Sequence, residues 1–169
     1  MNNKKFIGLK ESAFKDQPDI ELLDEVKMPL IYDLFTGSAP VGIISAYQNG
    51  RTADGNKIAT TSLAFGLRSI GFGILFIDGE WIESGGSENG RPKKCETSVL
   101  AIAGESHSEL LFESLIDSAE RYRQKGFIFK GRGLNSSVSA FDSEGKEIET
   151  LKCVNIEMLS HLYSEIQQG

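Results

Sequence analysis

The chain has 169 residues, 40% hydrophobic and 25% charged, close to globular averages and far from the composition of disordered chains. Its net charge of −6 opposes a phosphate backbone, which disfavours nucleic acid as a partner, and no run approaches the roughly 20 apolar residues that a bilayer span requires. Two cysteines, Cys95 and Cys153, fall short of a secreted scaffold, and the opening Met1-Asn2-Asn3-Lys4-Lys5 is not followed by the apolar stretch of a signal peptide, so a cytoplasmic protein with free thiols is expected.

Residues 1 to 18 mix Lys, Asn, Gln and Asp around Phe6, Ile7, Leu9 and Phe14, the pattern of an N-terminal arm that is loose or docks a few side chains. Leu22, Leu23 and Val26 stand at helical spacing and predict a short helix over 20–27. Pro40 to Tyr47 is apolar and β-rich, the first firm strand, and Asn49-Gly50 marks a turn. A long helix follows from Ala53 to Ile70, capped by Thr52 or Asp54, carrying Ile58, Leu63, Leu67 and Ile70, and ended by Gly71 and Gly73.

Ile74 to Ile77, Asp78-Gly79 and Glu80 to Glu83 then predict a hairpin or one bent strand, and Ser84 to Pro92 a loop. Thr97 to Ala103 reads as a strand that is continuous rather than alternating, as in a central, buried one. Ser106-His107-Ser108-Glu109 matches the capping box, in which the serine and glutamate side chains each bond an orphan backbone N–H. The second helix so opened carries Leu111, Leu115, Ala119 and Tyr122 and stops at Gly126. Strands are expected at Phe127–Phe129, Ser137–Phe141 and Ile148–Val154, the last two paired through Ser143-Glu144-Gly145, before a helix over 156–167 capped by Asn155. This order predicts an α+β fold: a single domain over 19–169 whose mixed sheet is covered by two long helices and a C-terminal one.

Chemistry is sparser. Gly50 to Gly55 follows a strand and opens a helix, yet Asn56 stands where a P-loop needs its lysine and Ile58 where it needs a hydroxyl. That extra residue turns Lys57 by roughly 100° around the helix. What survives is a helix N-terminus, with its unpaired N–H groups and positive dipole end, surrounded by Arg51, Thr52, Asn56 and Lys57. This favours an anion or a nucleotide-like ligand, against the plainer reading of an ordinary capped helix. Trp81 beside the Gly/Ser loop could stack on a base or anchor a partner, or be a half-buried strand aromatic. Glu83 and Glu96 flank the same loop as a conceivable acid–base pair, and Cys95 follows two lysines, neighbours of the kind that can activate a thiol. The short basic run Arg91 to Lys94 fits a solvated loop, as do Gly131-Arg132-Gly133. His107 and His161 lack a second ligand at metal spacing, so neither metal nor cofactor is expected.

Ser45-Ala46-Tyr47, Asn56, Gly71-Phe72-Gly73, Gly79 to Glu83 and Glu96 to Leu100 together resemble a loosely defined family of small uncharacterised bacterial and phage proteins. There a strand ending in Ser/Thr-Ala precedes a helix with an early Asn, a Gly-rich link, a Gly-x-Trp/Tyr-x-Glu stretch and a strand introduced by Glu-Ser/Thr. The match spans residues 41 to 103, with Thr60 and Thr61 where that family often carries Arg. The resemblance implies phage origin and no established activity.

The leading expectation is therefore a non-enzymatic phage-type accessory protein, a minor virion component or host-directed inhibitor bound to a protein partner, with oligomerisation open. The second is a binder of a nucleotide-like signal, using Ser45, Tyr47, Arg51, Thr52, Asn56, Lys57, Trp81, Glu83 and Glu96. The third is an enzyme built on Glu83, Glu96 or Cys95.

Overall fold

The computed structural model describes residues 4–11, 28–83 and 93–151, with side chains placed at 31, 33–78 and 96–150. Seven strands form one sheet: β1 (Lys4–Glu11), β2 (Val41–Ser45), β3 (Gly73–Glu83), β4 (Lys93–Ile102), β5 (Gly126–Lys130), β6 (Val138–Asp142) and β7 (Glu147–Leu151). Their spatial order is β1-β3-β4-β2-β5-β6-β7. Three helices complete the described fold, α1 (Met28–Thr36), α2 (Ala53–Ile70) and α3 (Ser108–Arg121).

The α+β class is as expected, but the sheet is not mixed. Every described pairing is antiparallel. The reason is topological: α2 returns the chain to the sheet two strands away from β2, leaving the antiparallel β4 between the two parallel strands β2 and β3. Nor are there two long helices among the described residues. At 18 residues α2 is long; α3 has 14 and α1 has 9. Within the stretch expected as an arm, loose or docked, Lys4–Glu11 pairs with β3 as an edge strand, Lys4 opposite Glu83 and Glu11 opposite Ile77. The expected helices over 20–27 and 156–167 and the loop over 84–92 lie outside the described residues.

Local chemistry explains α2 well. Thr52 is its N-cap, the hydroxyl accepting from Gly55 N–H at 3.1 Å, and Asp54 complements the dipole in the first turn. Gly71 ends it at φ 114°, a left-handed conformation that a side chain would strain, while Phe72 N–H reaches back to Leu67 O at 3.4 Å. The capping box before α3 does not form. Glu105–His107 make a 3₁₀ turn, His107 becomes the N-cap without a side-chain bond, and Ser106 Oγ lies 3.3 Å from His107 Nδ1 instead. The helix stops at Tyr122, followed by Arg123 at φ 53°, so Gly126 is not its stop. Gly126 is required one step later: a Cβ there would lie 2.2 Å from Phe141 O across β5 and β6. Of the two expectations over 74–83, a hairpin or one bent strand, the structure has the single strand β3.

The sheet is buried on both faces at its centre, where Val99, Leu100 and Ala101 of β4 are each 0% exposed. On one face α2 packs over β3 and β4 and α3 over β2 and β5, sealing Ile44, Leu63, Leu67, Phe76, Leu111, Leu115 and Phe127. Gly42 lets α3 come close, since a Cβ there would lie 2.4 Å from Leu115 Cδ1. On the other face Phe35 of α1 packs with Val41, Ile43, Leu100, Ile128 and Val138. Each such side chain contributes about 1.5–3 kcal/mol on burial. Lys130, also 0% exposed, donates through Nζ to Gly37 O and, at 3.0 Å, to Ala39 O. It thereby pins the α1–β2 connection to β5. Burial lowers its pKa, and the charge of Glu105 acts in the opposite sense.

Candidate functional site

Because β2 and β3 each run antiparallel to β4, they run parallel to one another and end at the same end of the sheet. That end gathers the backbone of the residues of the candidate ligand set, Ser45, Tyr47, Arg51, Thr52, Asn56, Lys57, Trp81, Glu83 and Glu96. Ser45 closes β2, Tyr47 to Thr52 form the turn into α2, and Asn56 and Lys57 lie in its first turns. The β3–β4 ladder continues past Ser45, taking Trp81 opposite Lys94 and Glu96 opposite Gly79, with Glu83 opposite Lys4 on β1. The side chains of Trp81, Glu83 and Cys95 lie outside the described set. Ser45 pairs with Ser98, and strand alternation puts both on the α1 face with Glu96; all three are at most 1% exposed. On the opposite face the buried Asp78 accepts from Thr97 Oγ1 at 2.6 Å.

The polar side chains of the β2–α2 turn are committed to the turn itself. Asn56, 5% exposed, clasps the backbone of Gln48 as a neighbouring strand would: its Oδ1 accepts from Gln48 N–H at 2.9 Å and its Nδ2 donates to Gln48 O at 3.1 Å. Arg51 Nη1 donates to Ala46 O at 2.8 Å and lies 3.5 Å from Asn56 Oδ1. Ser45 Oγ accepts from Tyr47 N–H at 3.0 Å. Two glutamines tie the turn to the end of α3, Gln48 Nε2 donating to Tyr122 O at 3.1 Å and Gln124 Nε2 to Tyr47 O at 3.0 Å. Thr52 caps the helix, and Lys57 is exposed. The corner is thus a cross-braced turn in which Arg51 and Asn56 already hold backbone partners.

A second feature escaped the sequence reading. Between α3 and the strands β5 and β6 lies a groove of about 330 Å³ lined by Ser108, Glu109, Phe112, Glu113, Phe129 and Phe141. Phe112 meets Phe129 at 5.0 Å and Phe141 at 4.9 Å, edge to face, and Phe127 at 5.6 Å behind them. Such pairs contribute about 0.5–1.5 kcal/mol beyond burial and hold the rings in fixed orientations. Glu109 and Glu113, one turn apart and exposed, form the rim on α3. Glu147 stands opposite Phe141 in the β6–β7 register, and its Oε1 accepts from Ser139 Oγ at 2.7 Å and from Thr150 Oγ1. Those bonds, Thr150's the larger effect, lower its pKa. In the sequence the signal was the spacing Glu109, Phe112, Glu113, which puts a ring between two carboxylates on one helix side.

Among the described residues no cluster of three or more His, Cys, Asp or Glu side chains is arranged to hold a metal ion, and no helix is long and apolar enough to cross a membrane. Comparison with protein-family models finds no match, and neither do comparisons with curated proteins and with solved structures.

Proposed function

We propose that this chain is a non-enzymatic accessory protein that acts by binding a protein partner. The resemblance over residues 41 to 103 suggests a phage-type setting, as a minor virion component or a host-directed inhibitor. The observation that carries the reading is the groove beside α3: an apolar concavity with rings fixed by one another and carboxylates on its rim. Interface cores favour aromatic anchors surrounded by polar groups, which is the make-up of this surface. The reading of a nucleotide-like ligand at the β2–α2 corner draws less support, because Arg51 and Asn56 there are engaged with Ala46 and Gln48.

The test places a photo-crosslinking residue at each site, Ser108→p-benzoylphenylalanine in the groove and Lys57→p-benzoylphenylalanine at the corner, in cells that produce the protein naturally. The expected outcome is one discrete polypeptide adduct from the groove position, identified by mass spectrometry, and none from the corner. Native mass spectrometry supplies the opposing outcome. An extra mass of a few hundred daltons, released on denaturation and absent from Arg51→Ala, would replace protein binding with ligand binding.

A further inference from the structure

We infer that the groove receives an arginine side chain from a basic segment of the partner, an inference that rests on the protein-binding reading above. The floor is three phenyl rings, Phe112, Phe129 and Phe141, and the lining contains no basic residue. The three rings are part-exposed, and a cation that reaches the face of an aromatic ring is attracted by the negative end of its quadrupole. The rim adds charge of the same sign. Glu109 and Glu113 stand at i and i+4 on α3, a spacing at which like charges repel and weaken a helix, and Asp117 continues the stripe one turn further. Glu147, opposite Phe141 on the next strand, lies outside the lining but adds a further negative charge nearby. A cation between these carboxylates relieves that repulsion.

Three alternatives fit less well. An anion would meet the carboxylates of Glu109 and Glu113 on the α3 rim. A wholly apolar segment would cover the Phe floor while stripping water from Glu109 and Glu113 without giving them a partner, which is costly. A lysine would satisfy the charge, but its ammonium is compact and strongly hydrated. A guanidinium is planar, stacks on aromatic faces, sheds water more readily and can bond two carboxylates at once. A volume of about 330 Å³ accommodates the guanidinium with the methylenes behind it. A basic partner also suits a chain of net charge −6, whose field accelerates encounter with positive surfaces.

The experiment titrates the full chain, with phenylalanine rings isotopically labelled, with acetyl-Ala-Arg-Leu-Arg-Ala-amide. The same peptide is then used with lysine, and with uncharged citrulline, in place of both arginines. The arginine peptide is expected to shift the ring signals of Phe112, Phe129 and Phe141, the lysine peptide to bind more weakly, and the citrulline peptide to leave them in place. Glu109→Gln and Glu113→Gln, at exposed positions that tolerate the change, should each weaken the arginine peptide about two- to fivefold. Raising ionic strength should weaken it further. Ring shifts of equal size with citrulline would overturn the arginine assignment while leaving the groove a binding surface. Shifts with none of the peptides at millimolar concentration would overturn it as well. The protein-binding reading falls separately, if Ser108→p-benzoylphenylalanine yields no polypeptide adduct.

Discussion

Replacing Asn56 by alanine distinguishes a bracing residue from a ligand-binding one without any ligand in hand. In the folded protein the Asn56 side chain makes two bonds to Gln48, at 2.9 Å to its N–H and 3.1 Å to its carbonyl, at a site only 5% exposed. A hydrogen bond contributes about 1 kcal/mol net, and a part-buried backbone group left unsatisfied costs about 1–3 kcal/mol. Water reaching the turn recovers some of that, so Asn56→Ala should destabilise the fold by about 2–4 kcal/mol. For a chain of this length that corresponds to a fall in Tm of roughly 5–15 °C. Urea unfolding followed by circular dichroism is the assay, with the slope m expected to stay constant. Lys57→Ala, one residue on and exposed, is the control and should shift stability by less than about 0.5 kcal/mol. If Asn56→Ala unfolds at the same urea concentration as Lys57→Ala, the brace is not what the side chain is for, and the anion-site reading regains its ground.

Three further outcomes follow from the packing and the two perturbed groups. Gly42→Ala puts a methyl 2.4 Å from Leu115 Cδ1 and should cost about 1–3 kcal/mol, whereas combined with Leu115→Ala it should cost less than the two singly. A double-mutant cycle that proves additive would refute that contact. Lys130 has a folded pKa below its ordinary 10.5, so between the two values the unfolded chain holds more protons and stability rises with pH. The cost of burying its charge is fully present below the folded pKa and relieved above 10.5, and Lys130→Met should abolish that rise relative to the native chain. Glu147 is the converse case: its contribution is present above 4.5 and lost as pH falls through its lowered pKa, and Thr150→Val should move that midpoint up towards 4.5 in a carboxyl NMR titration.

Where short-range chemistry decides structure, the sequence was legible. Thr52 and Gly71 bound α2 as their side-chain and backbone preferences require, and the run expected as a central strand over Thr97 to Ala103 falls in the doubly buried part of β4, which ends at Ile102. The errors fall where distant partners decide. Nothing local marks Lys4–Glu11 as a strand, because it is completed by β3, far along the chain. Met28–Thr36 went unassigned because its apolar residues serve both the helix period and the α1 face of the sheet. At Ser106 the local capping pattern was strong and yet lost to a 3₁₀ turn that leads the chain out of β4. The β2–α2 corner was located correctly as a place, but hydrogen bonds such as Gln124 Nε2 to Tyr47 O join residues 77 apart and have no local signature. The groove was hidden for the same reason, since Phe112, Phe129 and Phe141 meet only once α3, β5 and β6 are assembled.

The position of β2 governs the order in which the protein can be made. Val41–Ser45 is flanked by β4 and β5, both synthesised after it, so a nascent chain carries this strand with neither neighbour available until Ile102 has left the ribosome. By contrast β5, β6 and β7 pair in succession over 126–151 and need no earlier segment to begin. Insertion of β2 between the two halves is the step that closes the largest loops, and loop closure of that kind slows folding. Until it occurs, the backbone of Val-Gly-Ile-Ile-Ser is an open edge of apolar strand, the kind of segment that recruits chaperones and aggregates when crowded. The same strand that fills the centre of the finished sheet is thus the most vulnerable stretch of the unfinished one.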